Sequence, residues 1–172
     1  MPTDIPPAPS AAIPLLTLDN IGKSYVGPVL GGVGLRFAAG QVLALTGENG
    51  AGKSTLSKII CGLEQATTGT MLLDGKPYQP ASRGAAEALG IRMVMQELNL
   101  IPTLSIAENL YLKNLPQRFG FIDRSRLERD AREQMEQVGL GGLDPWTLVG
   151  ELGIGHQQMI EIARNLIGSC RL

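Results

Sequence analysis

The pattern of apolar and polar positions up to residue 95 predicts short β-strands separated by glycine turns. Val33, Leu35 and Phe37 alternate with glycine and arginine, as expected for a strand with one buried face. The other strands are predicted from short apolar runs, and Asp74-Gly75 has the composition of a tight turn. The predicted strands lie at residues 15–18, 33–37, 41–46, 70–74 and 91–95.

After residue 96 the spacing of apolar residues becomes helical. Ser105 and Glu108 have the spacing of a capping box, which predicts a helix through about Leu112. Asp123 is predicted to cap a longer helix that ends at Gly139, with Glu128 and Arg132 placed to pair on its exposed face. Its apolar stripe comprises Leu127, Ala131, Met135 and Val138. A last helix is predicted from about Gly155 to Ile167, with Met159, Ile162, Ala163, Leu166 and Ile167 facing the core.

One glycine-rich segment gives the clearest indication of a binding site. It fits the phosphate-binding loop pattern G-x-x-x-x-G-K-[ST] and consists of Gly47, Glu48, Asn49, Gly50, Ala51, Gly52, Lys53, Ser54 and Thr55. A predicted strand precedes it, and an apolar helical face that Gly62 terminates follows it. Glycines let the backbone wrap around an anion, Lys53 supplies positive charge, and the Ser54 hydroxyl is a candidate ligand for Mg²⁺. The alternative, a glycine-rich turn without a ligand, does not explain the strand and helix on either side.

The composition of the chain is typical of a globular protein and gives no sign of a nucleic-acid-binding one. The chain has 172 residues, of which 44% are hydrophobic and 18% charged, as in a globular protein. A net charge of −1 gives no electrostatic reason to expect nucleic acid as a partner. Residues 1–14 contain five prolines and are predicted to form a flexible leader.

Four segments together resemble the ATP-binding subunits of ABC transporters. The first contains Tyr25, at the position where the family has an aromatic residue that stacks on adenine. The second is the phosphate-binding loop, and the third ends in Gln96, which in the family reaches towards Mg²⁺ and the attacking water. The resemblance therefore implies ATP and Mg²⁺ as cofactors, with Ser54 and Gln96 near the metal. The fourth segment stands in place of the family's LSGGQ signature and comprises Leu152, Gly153, Ile154, Gly155 and His156.

Residues 95–110, with 121–123 and 157–163, resemble the first nucleotide-binding domain of sugar importers of the ribose, xylose and galactose class. This implies an α/β fold: a partial ABC-type P-loop NTPase domain with an antiparallel β part and a helical subdomain. The expected division is a leader at 1–14, a β-rich part and P-loop core at 15–96, and the Q-loop, helical subdomain and signature at 97–172. The implied activity is ATP binding and hydrolysis that drive carbohydrate uptake. The implied partners are transmembrane permease subunits, a second ABC domain and, indirectly, a periplasmic sugar-binding protein, at the cytoplasmic face of the inner membrane.

Two departures from the family pattern change the expected activity. Gly153 replaces a serine whose hydroxyl contacts the γ-phosphate on the opposite domain, and His156, at a helix start, is expected to be a surface residue. In the family, an apolar strand ends in Asp-Glu: the aspartate holds Mg²⁺ through water, and the glutamate polarises the attacking water. No such segment occurs up to Leu172. Asp74 ends an apolar run, but Gly75 follows it and favours a turn. The chain is therefore expected to be a fragment that binds ATP without efficient hydrolysis and is less stable or self-associating.

Other readings are a non-hydrolysing nucleotide-binding or regulatory module and a different P-loop enzyme. A GTPase would require an Asn-Lys-x-Asp motif after the loop, which the sequence lacks. A small-molecule kinase would require an arginine-rich lid, whereas the arginines of residues 124–132 are interleaved with acids on a predicted helix. Trp146 is expected to cover a small helical core rather than to contact the permease.

Overall fold

The computed structural model describes residues 13–95 and 97–172. The chain divides into two compact units: the first extends to Ile91 and includes Arg171, and the second comprises Arg92–Cys170 and Leu172. None of the helices in the two described ranges is long and apolar enough to cross a lipid bilayer.

The first unit contains an antiparallel four-stranded sheet. Its strands are β1 (Leu16–Ser24), β2 (Pro28–Phe37), β3 (Thr68–Leu73) and β4 (Lys76–Pro77), in the spatial order β2-β1-β3-β4. On central β1, Leu16 pairs with Phe37 of β2 on one side and with Leu73 of β3 on the other. These apolar pairs bury one face of the sheet, so the predicted strands at 15–18, 33–37 and 70–74 are confirmed. Asp74 and Gly75 have φ values of 50° and 74°, which confirms the predicted turn.

Two predicted strands are wrong. Residues 41–46 and 91–95 belong to no strand, and Val42, Leu43 and Leu45 are exposed rather than buried. A strand requires a neighbouring strand that accepts and donates its backbone hydrogen bonds. Within residues 13–95 and 97–172, no segment pairs with either run, so apolar composition alone does not produce a strand there.

The helix after the glycine-rich loop is α1 (Lys53–Ile60), which buries Leu56 and Ile59. Gly62 has φ 73°, and the N–H of Leu63 donates to the Lys58 carbonyl at 2.9 Å, so the chain leaves α1 in a Schellman motif. Gly62 therefore ends the helix as predicted. The first unit also contains α2 (Arg83–Ala88), which the sequence pattern did not predict.

The second unit is mainly helical. Its elements are α3 (Ile106–Tyr111), the two-stranded hairpin of β5 (Gln117–Arg118) and β6 (Phe121–Ile122), α4 (Arg124–Gln137), a 3₁₀ turn at Val149–Glu151 and α5 (Ile154–Leu166). The predicted caps are confirmed: Ser105 and Glu108 form a complete capping box, and the Asp123 carboxylate accepts from the Arg126 N–H. The core between the helices comprises Ile106, Ala107, Leu110, Leu127, Ala131, Met135, Leu140, Val149, Ile160 and Ala163.

Trp146 is partly buried against this core, as expected. Its indole N–H donates to the Glu128 carboxylate at 3.1 Å, and the Arg124 guanidinium lies 4.5 Å from its ring. Glu128 also accepts from Arg132 at 2.9 Å, which confirms the predicted i,i+4 pair.

The predicted inward face of α5 is partly wrong. Ile162 and Leu166 are exposed, whereas Ile160, Glu161 and Asn165 are buried. The pattern of apolar residues misses this face because a buried carboxylate occupies it. The Arg164 guanidinium nitrogen donates to both Glu161 oxygens at 2.7 Å, which supplies the charge partner that a buried carboxylate requires.

Candidate functional site

The glycine-rich loop has a backbone conformation that residues other than glycine rarely adopt. Gly47, Gly50 and Gly52 have φ values of 147°, 86° and 82°, in the region that side chains disfavour. Gly52 is also sterically enclosed, because a Cβ there would lie 2.9 Å from Leu30 Cδ1 and 3.0 Å from the Val29 carbonyl oxygen. The glycines in the P-loop pattern therefore have a direct conformational cause.

The loop leads into the N-terminus of α1, where backbone donors are left without helical acceptors. Gly52 is the N-cap, and the first intrahelical bond runs from the Leu56 N–H to the Gly52 carbonyl at 2.9 Å. The N–H groups of Lys53, Ser54 and Thr55 precede that bond, and Gly52 has no side chain to cap them. The first turn contains no acidic residue that would compete for an anion. This end of α1 therefore favours an anionic ligand.

Lys53 places its positive charge against the same loop. Its Nζ donates to the Gly47 carbonyl at 2.8 Å and to the Glu48 carbonyl at 2.7 Å. An ammonium group has three donors, so one remains for a ligand oxygen. Ser54, which follows on α1, is an exposed residue.

The turn that carries Tyr25 lies beside this loop. The Tyr25 N–H donates to the Gly27 carbonyl at 3.1 Å, and β2 begins at the next residue, Pro28. Since Val29 and Leu30 of β2 contact Gly52, the turn and the loop are neighbours within the first unit. Tyr25 is 58% exposed, so its ring is available to a ligand.

Lys23 and Glu64 are further residues of this region that sequence reasoning did not single out. Lys23 lies under the Tyr25 ring, with Nζ 4.8 Å from the ring centroid, and forms a 3.0 Å ion pair with Glu64. The two partners are far apart in sequence, and the only local signal was the basic residue two positions before Tyr25.

The remaining predicted site residues lie in the second unit or outside the described part. Gln96 is outside the described residues. The signature segment forms the start of α5: Gly153 is the N-cap without a side-chain hydrogen bond, and Gly153, Ile154, Gly155 and His156 are exposed while Leu152 is half-buried. His156 is thus a surface residue at a helix start, as expected.

The loop fits a phosphate chain: it combines glycine-only backbone turns, uncapped helix N–H groups and a lysine. For Mg²⁺ it supplies one clear oxygen ligand, the Ser54 hydroxyl. In the parts of the chain that the structure describes, no group of three or more His, Cys, Asp or Glu side chains is arranged to hold a metal. Any Mg²⁺ here would therefore depend mainly on phosphate oxygens and water.

Solved structures share this fold. A nucleotide-free ATP-binding cassette from an ABC transporter matches 89% of this chain and 64% of its own length, with a TM-score of 0.73 and 25% identity. A second cassette, solved in its ADP conformation, matches 90% of this chain and 65% of its own, with a TM-score of 0.76 and 24% identity. The fold class predicted from the sequence, a partial ABC-type P-loop domain, is confirmed.

Curated relatives are closer in sequence. The ribose import ATP-binding protein of Chromobacterium violaceum is 49% identical over 159 residues, which are 91% of this chain and 32% of that protein. The arabinose import ATP-binding protein of Chromohalobacter salexigens is 47% identical over 158 residues, 91% of this chain and 32% of its own length. The chain thus spans about a third of the length of these relatives. The family model described as ABC transporter matches residues 30–172, most of the chain, and this protein belongs to the ABC transporter family.

Proposed function

We propose that this chain binds Mg·ATP as part of an ATP-driven importer of a sugar. The observation that carries the proposal is the P-loop itself, in which Gly52, Lys53 and the first turn of α1 form one anion-binding surface. The relatives named for ribose and arabinose import support a pentose or a similar sugar as the transported substrate.

The geometry of the loop supports the roles proposed for its residues, and the family resemblance supports those proposed for Tyr25 and Gln96. Lys53 and the N–H groups at the start of α1 bind the outer phosphates, and the Ser54 hydroxyl is the ligand for Mg²⁺. Mg²⁺, when bound, neutralises part of the phosphate charge. Tyr25 stacks on the adenine, and the loop residues Glu48, Asn49 and Ala51 contribute backbone to the phosphate cradle. Gln96 positions the attacking water and contacts the metal.

The proposed partners are transmembrane permease subunits and a second ABC domain, with a periplasmic sugar-binding protein acting through the permease. The exposed signature residues from Gly153 to His156 are available to face a nucleotide held by the second ABC domain. The proposed location, where such partners would meet it, is the cytoplasmic face of the inner membrane, with the protein as a peripheral component.

Hydrolysis by these 172 residues alone is proposed to be slow. Gly153 has no hydroxyl for a γ-phosphate, and the sequence of these 172 residues contains no Asp-Glu pair. A nucleotide-binding module that does not hydrolyse ATP is the second candidate function, and the same two features favour it.

Equilibrium titration with Mg·ATP and Mg·GTP, combined with a phosphate-release assay, tests the proposal. We expect saturable binding of ATP and less than one turnover per chain during the assay. A chain extended by the native residues that follow Leu172 separates the two functions: turnover by it supports the transport ATPase, and binding without turnover supports the non-hydrolysing module. Absence of ATP binding by both proteins would contradict the proposal.

A further inference from the structure

The Lys23 side chain is unusually buried for a lysine. It is only 13% exposed, although lysine side chains normally extend into water. Three groups account for this: the Glu64 carboxylate at 3.0 Å, the Gln65 carbonyl at 2.8 Å and the Tyr25 ring at 4.8 Å. The ammonium group therefore has fixed partners on several sides.

Glu64 joins the same cluster from the segment after α1. Hydrogen bonding from Lys23 and the nearby Lys23 charge hold the pKa of Glu64 below its ordinary value. Glu64 thus fixes the position of the cation that lies over the Tyr25 ring. The segment is anchored close to β1, since the Thr67 N–H donates to the Gly22 carbonyl at 2.8 Å.

The arrangement leaves much of the Tyr25 side chain accessible to a ligand. Lys23 lies over one face of the ring, and the residue is nevertheless 58% exposed. An exposed tyrosine that is free to rotate would lose side-chain entropy on stacking. A ring already held by a cation over one face, which the Glu64 carboxylate fixes in turn, avoids much of that cost.

We propose that Lys23 and Glu64 are positioning residues that hold Tyr25 in the orientation that stacks on the nucleotide base. This inference rests on the proposed nucleotide-binding function and specifies how its base is recognised. The Lys23 ammonium is directed to the Gln65 carbonyl, the Glu64 carboxylate and the Tyr25 ring, so we expect its effect to be confined to ligands that carry a base.

The test compares Mg·ATP with Mg·tripolyphosphate, which keeps the phosphate chain but lacks the base, by calorimetric titration of the full 172-residue chain. A cation–π contact at a partly exposed site corresponds to about a two- to fivefold change in affinity. We therefore expect Lys23→Met to weaken ATP binding by that factor and to leave tripolyphosphate binding unchanged. Lys23→Arg, which keeps a cation over the ring, should retain wild-type affinity.

Two further variants separate positioning from general charge or stability effects. In a Tyr25→Ala background, Lys23→Met should have no additional effect on ATP binding, and Glu64→Gln in the wild-type background should weaken ATP alone. Lys76→Met, which removes an exposed charge from β4, is the matched control and should leave both affinities unchanged.

Equal weakening of both ligands by Lys23→Met, or an undiminished effect in the Tyr25→Ala background, would overturn the positioning role. An unchanged ATP affinity in Lys23→Met would overturn it as well. In each of these cases tripolyphosphate binding by the wild type still supports the P-loop. A wild-type chain that binds neither ligand would instead contradict the proposed function, and this inference with it.

Discussion

The side chain of Leu30 occupies the space into which a Cβ on Gly52 would project, with Leu30 Cδ1 2.9 Å from that position. Gly52 also has φ 82°, so two independent constraints require glycine. We expect Gly52→Ala to lower the free energy of unfolding by about 1–3 kcal/mol and to weaken Mg·ATP binding, because the loop must shift.

Urea unfolding and ATP titration of the Gly52→Ala variant test this. Gly34→Ala is the matched control, since Gly34 has space for a Cβ and no positive φ. A Gly52→Ala variant as stable and as tightly binding as the control would show that the loop conformation is wrong.

The N-terminus of α5 offers a change that should increase stability. Gly153 is its N-cap with φ −64° and ψ 153°, and a Cβ there would meet nothing within 4 Å. A serine hydroxyl can accept from an N–H of the first turn, so Gly153→Ser should raise the free energy of unfolding by about a few tenths of a kcal/mol. Gly153→Ala adds the same Cβ without the acceptor and should lower stability, and a gain by both variants in urea unfolding would rule out the capping explanation.

The buried pair of Glu161 and Arg164 should behave as one unit. Arg164→Met would leave the buried carboxylate without its cation and should cost roughly 3 kcal/mol of the free energy of unfolding. Arg164 also donates to the Asn99 carbonyl at 2.8 Å, so part of the loss comes from that contact. The double variant Glu161→Leu/Arg164→Met should recover much of the stability in urea unfolding, whereas additive losses would contradict a coupled pair.

The capping box of α3 predicts a dependence of stability on pH. Hydrogen bonds from the Ser105 hydroxyl and backbone N–H hold the pKa of Glu108 below its ordinary value of 4.5. A carboxylate with a lowered pKa contributes its full stabilisation above that ordinary value and loses it as the pH falls through the folded-state pKa. We therefore expect Glu108→Gln to be less stable than wild type at neutral pH, with a difference that shrinks on acidification.

Urea midpoints measured from neutral pH down to about pH 3 follow this difference across the titration range of a carboxylate. Glu133→Gln is the control, because Glu133 is exposed on α4. A stability difference for Glu108→Gln that stays constant with pH would contradict the role given to its carboxylate.

The features that sequence alone predicted correctly are those decided within a few residues. The P-loop glycines, the Asp74-Gly75 turn, the Ser105 box and the Asp123 cap each depend on local backbone geometry. The family resemblance was likewise carried by contiguous motifs, and the comparisons confirm it.

The features that sequence reasoning missed depend on distant partners. Residues 41–46 look like a strand by composition, but pairing decides whether a strand forms. The buried face of α5 contains Glu161, which a polarity pattern assigns to the surface unless its pairing with Arg164 is known. The contact of Lys23 with Glu64 joins β1 to the segment after α1, and no local pattern predicts it.

Mg·ATP affinity of the Lys53→Ala variant tests the central claim most directly. Loss of a charge-assisted hydrogen bond to phosphate should weaken binding by about tenfold to a hundredfold, since such a bond contributes roughly 1.5–3 kcal/mol. Lys58→Ala removes an exposed charge from the other end of the same helix and should bind as the wild type does. A Lys53→Ala variant that has the wild-type circular dichroism spectrum and undiminished affinity for Mg·ATP would contradict the account.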